Sequence, residues 1–149
     1  MEIRILPRQG IEIVGGGRIL FGMTPEQVRS FFAEPPHSVM MGADDEVPTD
    51  CYDQASLRFF YNPEDGVLES VAVESEHEVW IETLSLFQGS VKQSFAWLRR
   101  EDPEFELEEG VGGLSKKFGF LTTIAGEDED DPKGYLDGVL IFQDDDSWL

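Results

Sequence analysis

Setting carboxylates aside, few residues of this 149-residue chain could do chemistry. It has two histidines, His37 and His77, and one cysteine, Cys51. The histidines stand forty positions apart, without the short spacing by which two imidazoles share a metal ion. His37 follows Pro35-Pro36 and His77 lies between Glu76 and Glu78, so both read as solvated residues of turns. Cys51 has Tyr52 and Asp53 after it and no adjacent Lys, Arg or His to hold a thiolate. It reads as an ordinary small residue at the head of a strand. Gly15-Gly16-Gly17 lacks the Gly-Lys-Ser/Thr and helix that complete a phosphate loop, and reads as a flexible turn. No catalytic residue, cofactor-binding residue or metal ligand set emerges, and the chain reads as a non-enzyme.

The carboxylates are the exception. Thirty-one acids against eleven bases give a net charge of −20. The excess is uneven: residues 101–149 hold fifteen acids and three bases, residues 1–100 sixteen and eight. Glu127-Asp128-Glu129-Asp130-Asp131 lacks the Asp-x-Asp-x-Asp-Gly pattern with a distant Glu that a calcium loop needs, and Asp144-Asp145-Asp146 reads the same way. A general-acid and general-base pair is defined by a separation in space, so none can be picked from so many acids. A polyanion repels nucleic acid and attracts a basic protein. The same charge also serves solubility alone, and both readings stay open. The candidate partner-contacting residues are Glu127, Asp128, Glu129, Asp130 and Asp131, then Asp44, Asp45 and Glu46.

These residues need elements to hold them. Ile3 and Ile5, then Ile11 and Ile13, alternate as a strand pair around Pro7 and Gly10. Thr24-Pro25-Glu26-Gln27 carries a capping box, with proline at the first helical position. Val28, Phe31 and Phe32 form the apolar stripe that follows, and Pro35-Pro36 is expected to stop the helix. Leu57, Phe59 and Tyr61 line one strand face, and Asn62-Pro63-Glu64-Asp65-Gly66 turns it into a partner strand over 67–73. Residues 77–87 form another extended run, and Trp80 and Trp97 read as core residues. Eleven Phe and three Trp supply a core, and no run approaches ~18 apolar residues, so neither a signal peptide nor a membrane span is expected. A single cysteine suits a reducing compartment, and the cytoplasm is the expected location.

The pattern then recurs. Leu20-Phe21 is matched by Leu86-Phe87, Thr24 by Ser90 with Gln93 three residues on, and Phe31-Phe32 by Trp97-Leu98, all at a spacing of 66. Gly66-Val67-Leu68-Glu69 is matched by Gly134-Tyr135-Leu136-Asp137 at 68, and the extra residues fall in the Glu127–Asp131 run. The expectation is a single α+β domain over 1–149. Two degenerate helix-then-antiparallel-hairpin units, about 11–76 and 77–149, would form one sheet with helices on one face.

The string Ile19-Leu20-Phe21-Gly22-Met23-Thr24-Pro25-Glu26-Gln27-Val28, with a later strand–turn–strand ending Val71-Ala72-Val73, carries a family likeness. It resembles the helix-plus-sheet repeat of the outer-membrane assembly lipoproteins and its tandem form in β-lactamase inhibitory proteins. The likeness covers residues 11–75 and, more faintly, 84–142. It implies a habit of binding other proteins, often enzymes they inhibit, through an exposed sheet face or its loops. The chain departs from the pattern in having no acylatable N-terminal cysteine and no paired cysteines, so the periplasmic and secreted roles do not carry over. An intracellular acidic version is similar to the immunity proteins of bacterial toxin systems, which neutralise a cognate toxin, frequently a basic nuclease. The expected function is therefore an immunity or inhibitor protein that occludes a basic toxin or enzyme, with no nucleic acid, membrane or cofactor as ligand. A small carboxylate-based enzyme and an acidic scaffold domain are the alternatives.

Overall fold

Alternating apolar and charged residues at the start of the chain put isoleucines on one face of successive strands. A computed structural model describes residues 1–40, 47–108, 112–125 and 134–144. Its first elements are β1 (Glu2–Leu6), β2 (Gly10–Ile13) and β3 (Gly17–Leu20), and Ile3, Ile5, Ile11 and Ile19 are all buried. Helix α1 (Pro25–Arg29) follows, then β4 (His37–Val39), β5 (Thr49–Tyr52), β6 (Leu57–Tyr61) and β7 (Leu68–Glu74). The second half holds β8 (Glu78–Ile81), β9 (Leu84–Ser85), α2 (Val91–Glu101), β10 (Glu106–Glu108), β11 (Gly112–Ser115), β12 (Phe120–Ala125) and β13 (Tyr135–Phe142).

Both helices start on the same device. The Thr24 hydroxyl accepts from the Gln27 amide while the Gln27 side chain accepts from the Thr24 amide, and Ser90 and Gln93 repeat the exchange. Two orphan amides per helix are satisfied this way. The ends differ from expectation: α1 stops at Arg29, before Phe31 and Phe32 and well short of Pro35-Pro36. The Ser30 hydroxyl donates to the Gln27 carbonyl at 2.6 Å, and Phe32 stacks on Tyr52 with ring centroids 4.0 Å apart. Those contacts compete with a further helical turn.

The strands form two sheets, so the expectation of a single sheet is corrected. One has five strands in the order β3-β2-β1-β8-β9, and the other eight in the order β10-β11-β12-β13-β7-β6-β5-β4. The reason is β1, which no repeat pair anticipates. It pairs antiparallel with β2 on one side and parallel with β8 on the other, tying the strands before the two helices into a sheet of their own. All pairings in the larger sheet are antiparallel. Read outward from its β13/β7 seam, it runs β13-β12-β11-β10 one way and β7-β6-β5-β4 the other. The fold is thus mostly antiparallel sheet with two helices, an α+β arrangement.

One core serves both sheets and both helices. Ile3, Ile19 and Ile81 of the smaller sheet pack in one cluster with Val28 of α1, Phe95 and Leu98 of α2, and Phe59, Val71, Phe120 and Ile141 of the larger sheet. Register partners share a face. A row on the opposite, outer face therefore runs Leu114, Leu121, Leu140, Ala72, Arg58, Cys51, His37 across seven strands from β11 to β4.

Candidate functional site

The turn between β5 and β6, Asp53 to Ser56, separates two clefts: Ser56 lines one and Ala55 the other. Ser56 sits at φ 52°, in the left-handed region that side-chain-bearing residues seldom adopt, so this corner is tightly defined. His37, Cys51 and His77 all line the second of the two clefts. Glu127, Asp128, Glu129, Asp130, Asp131, Asp44, Asp45 and Glu46 lie outside the described residues, as do Asp145 and Asp146.

The first cleft lies on the outer face across the β13/β7 seam, with a volume of about 520 Å³. Its floor is small because Ala72 and Gly138 present almost no side chain there. Its rim is polar: Arg58 pairs with Glu74 at 3.8 Å, both half exposed, and the Thr123 hydroxyl donates to the Asp137 carboxylate. Tyr135 stands beside it, 58% exposed, which is unusual for a residue of its size.

The second cleft, about 610 Å³, opens between the chain after α1 and the end of β5. Phe32 and Tyr52, stacked ring on ring, make one wall, and Glu34, Asp53 and His37 stand at the mouth. His37 is exposed and sits 3.6 Å from Asp53, as solvated as its sequence suggested. His77 is not, which corrects its reading as a solvated turn residue: it is 8% exposed. Its Nε2 donates to the Ala55 carbonyl, an oxygen that can only accept. Among the described residues, neither its Nδ1 nor the Tyr52 hydroxyl has a hydrogen-bond partner. Burial, helped by the charge of Asp50, pushes the Tyr52 phenol up to about 12. Cys51 is the third residue of β5 rather than its head, and burial pushes its thiol up, away from a reactive thiolate.

Behind this wall is a residue that sequence reasoning missed. Asp50 is fully buried in β5, and Arg29 of α1 donates to both its oxygens at 2.9 Å. The Tyr61 hydroxyl donates at 2.9 Å, and Ser38 lies at 3.5 Å. The hydrogen bond to Asp50 raises the Arg29 pKa, while burial first and then Asp50 raise that of Tyr61. Asp102, which caps α2, is similarly enclosed: the Ser115 hydroxyl donates to it at 2.7 Å and the Glu104 amide at 2.9 Å. Both carboxylates are buried acceptors committed to neighbouring donors of the chain. Trp80 and Trp97 are half-buried, Trp80 donating to Glu78 and Trp97 lying against Phe118.

Among the described residues, no three His, Cys, Asp or Glu side chains are grouped to hold a metal ion, and no helix is long and apolar enough to cross a membrane. Comparison with protein-family models, with curated proteins and with solved structures finds no significant match to this chain. The functional reading rests on its own residues.

Proposed function

We propose that this chain is a cytoplasmic protein-binding module, most concretely an immunity or inhibitor protein that occludes a basic toxin or enzyme. The observation that carries the reading is the outer face of the eight-stranded sheet, where a groove crosses the seam between small residues Ala72 and Gly138. At this groove a partner has little side chain to displace, and the rim carboxylates Glu74 and Asp137 fit a basic one. A net charge of −20 raises the encounter rate with that partner. The strand order about the β13/β7 seam and the two matching capping boxes support a further part of the reading. In it, residues 11–76 and 77–149 are duplicated units whose union creates the wide face.

The test uses the product of the neighbouring reading frame, the expected source of a cognate toxin. Its association with this chain is measured by titration calorimetry and by rescue of cell growth on co-expression. Ala72→Arg places a long cation in the groove and should weaken binding at least ~100-fold, the size of effect seen at the centre of an interface. Its circular dichroism and melting temperature should stay those of the parent. A neighbouring product that neither binds nor inhibits growth, or an Ala72→Arg protein that binds undiminished, would sink the proposal.

A further inference from the structure

The second cleft differs from the groove in one chemical respect. The groove contains Arg58, whereas among the described residues none that lines the cleft is Lys or Arg. The charged side chains at its mouth are Glu34 and Asp53, and Nδ1 of the buried His77 in its wall has no hydrogen-bond partner. Its aromatic wall is planar and partly open: Phe32 stacks on Tyr52 at 4.0 Å with an interplanar angle of 26°, and its ring is only half-buried. A site rich in acceptors with a flat π-surface suits a flat, donor-rich cation.

We propose that this cleft receives an arginine side chain presented by the basic partner. The inference rests on the protein-binding reading above and adds an anchor to it. A guanidinium carries five N–H donors in a plane, so it can lie against the Phe32 ring while its edge meets the Asp53 and Glu34 carboxylates. An ammonium has no plane to stack and gains less from the same wall. Asp53 is free to take this role, since its contact with His37 is an exposed pair at 3.6 Å that contributes little. Position agrees with chemistry. Cys51 and His37 end the outer-face row that starts at Leu114, and Ala55 and Ser56 belong to one turn, so a partner lying on the groove reaches the cleft.

The experiment is a nuclear magnetic resonance titration of the isolated full chain with Nα-acetyl-arginine amide, and in parallel with its lysine counterpart. The arginine compound should shift amide signals of residues 32–37 and 51–55 and bind at least ~5-fold tighter than the lysine compound. Glu34→Gln with Asp53→Asn, both at exposed positions, should weaken it by roughly tenfold. Phe32→Leu, which keeps apolar bulk, should weaken it ~3-fold with the remaining spectrum unchanged. Equal affinity for the two compounds, shifts confined to the Arg58–Glu74 groove, or indifference to the double carboxylate variant would overturn the proposal. If the arginine compound fails while Ala72→Arg still abolishes binding of the basic partner, the anchor is wrong and the protein-binding reading stands.

Discussion

Asp50 shows how one residue can hold a corner of the molecule. Its two oxygens collect two bonds from Arg29 and one from Tyr61, and it has no exposed surface. Arg29→Ala would leave that carboxylate buried without its cation, which should cost about 3 kcal/mol in urea unfolding. Removing a charge elsewhere on the surface should cost far less. Tyr52 gives the opposite case, because its buried hydroxyl has no partner. Tyr52→Phe should therefore be as stable as the parent at pH 7, or more stable by about 1 kcal/mol. The pH dependence follows from the same burial. The phenol titrates near 10 when unfolded and at about 12 when folded. Below pH 10 both states hold the proton, and stability does not depend on this group. From pH 10 to 12 the unfolded chain ionises first, so stability falls as pH rises, by up to roughly 2 kcal/mol. Urea midpoints of the parent and Tyr52→Phe should stay parallel up to about pH 9 and diverge above pH 10, with the variant ahead. Parallel curves to pH 11.5 would contradict the burial of this ring.

At the scale of the element, the two helices share a start and differ in length. Five residues of α1 and eleven of α2 follow equivalent capping boxes. Short helices draw their stability from tertiary packing more than from propensity, and α1 buries only Val28 where α2 buries Val91, Ser94, Phe95 and Leu98. Thr24→Ala and Ser90→Ala should each cost about 1 kcal/mol in denaturant titration. The consequences should differ in place. Losing the Thr24 cap should raise hydrogen exchange across α1 and at Phe32, beside the cleft, and losing the Ser90 cap should leave that region unaffected. The strands obey a related rule. Thr49-Asp50-Cys51-Tyr52 shows no apolar alternation, yet all four residues are buried in β5, and Asp50 is neutralised there by Arg29 of α1.

For the molecule as a whole, charge and shape act at different ranges. A net charge of −20 repels itself at every distance within a Debye length, ~10 Å at 0.1 M salt. Changing Glu127, Asp128, Glu129, Asp130 and Asp131 to their amides should leave the melting temperature unchanged or raised. Association with a basic partner should slow by about tenfold in dilute buffer and far less at 0.5 M salt, because peripheral charges act through the encounter rate. Stopped-flow rates across a salt series measure this directly. An unchanged rate in dilute buffer would move the electrostatic contact to other acids, with Asp44, Asp45 and Glu46 the next to neutralise.

The sequence by itself determined what depends on neighbours in the chain. The capping boxes at Thr24 and Ser90, the alternating isoleucines of β1 and β2, the Asn62–Gly66 turn and the acidic balance were all legible, because each is set by residues within a few positions of one another. The Arg29–Asp50–Tyr61 cluster was not, since its members meet only when α1, β5 and β6 are packed together. His77 looked solvated between two glutamates until the β5–β6 turn brought the Ala55 carbonyl to its ring. The division into two sheets was likewise a tertiary matter. Whether β1 joins a neighbour depends on which unpaired edge lies within reach, and the edge it met was β8, seventy-odd residues away. Local hydrogen bonds and periodicity are written in short range; burial, long-range ion pairs and sheet edges exist only between segments that folding brings together.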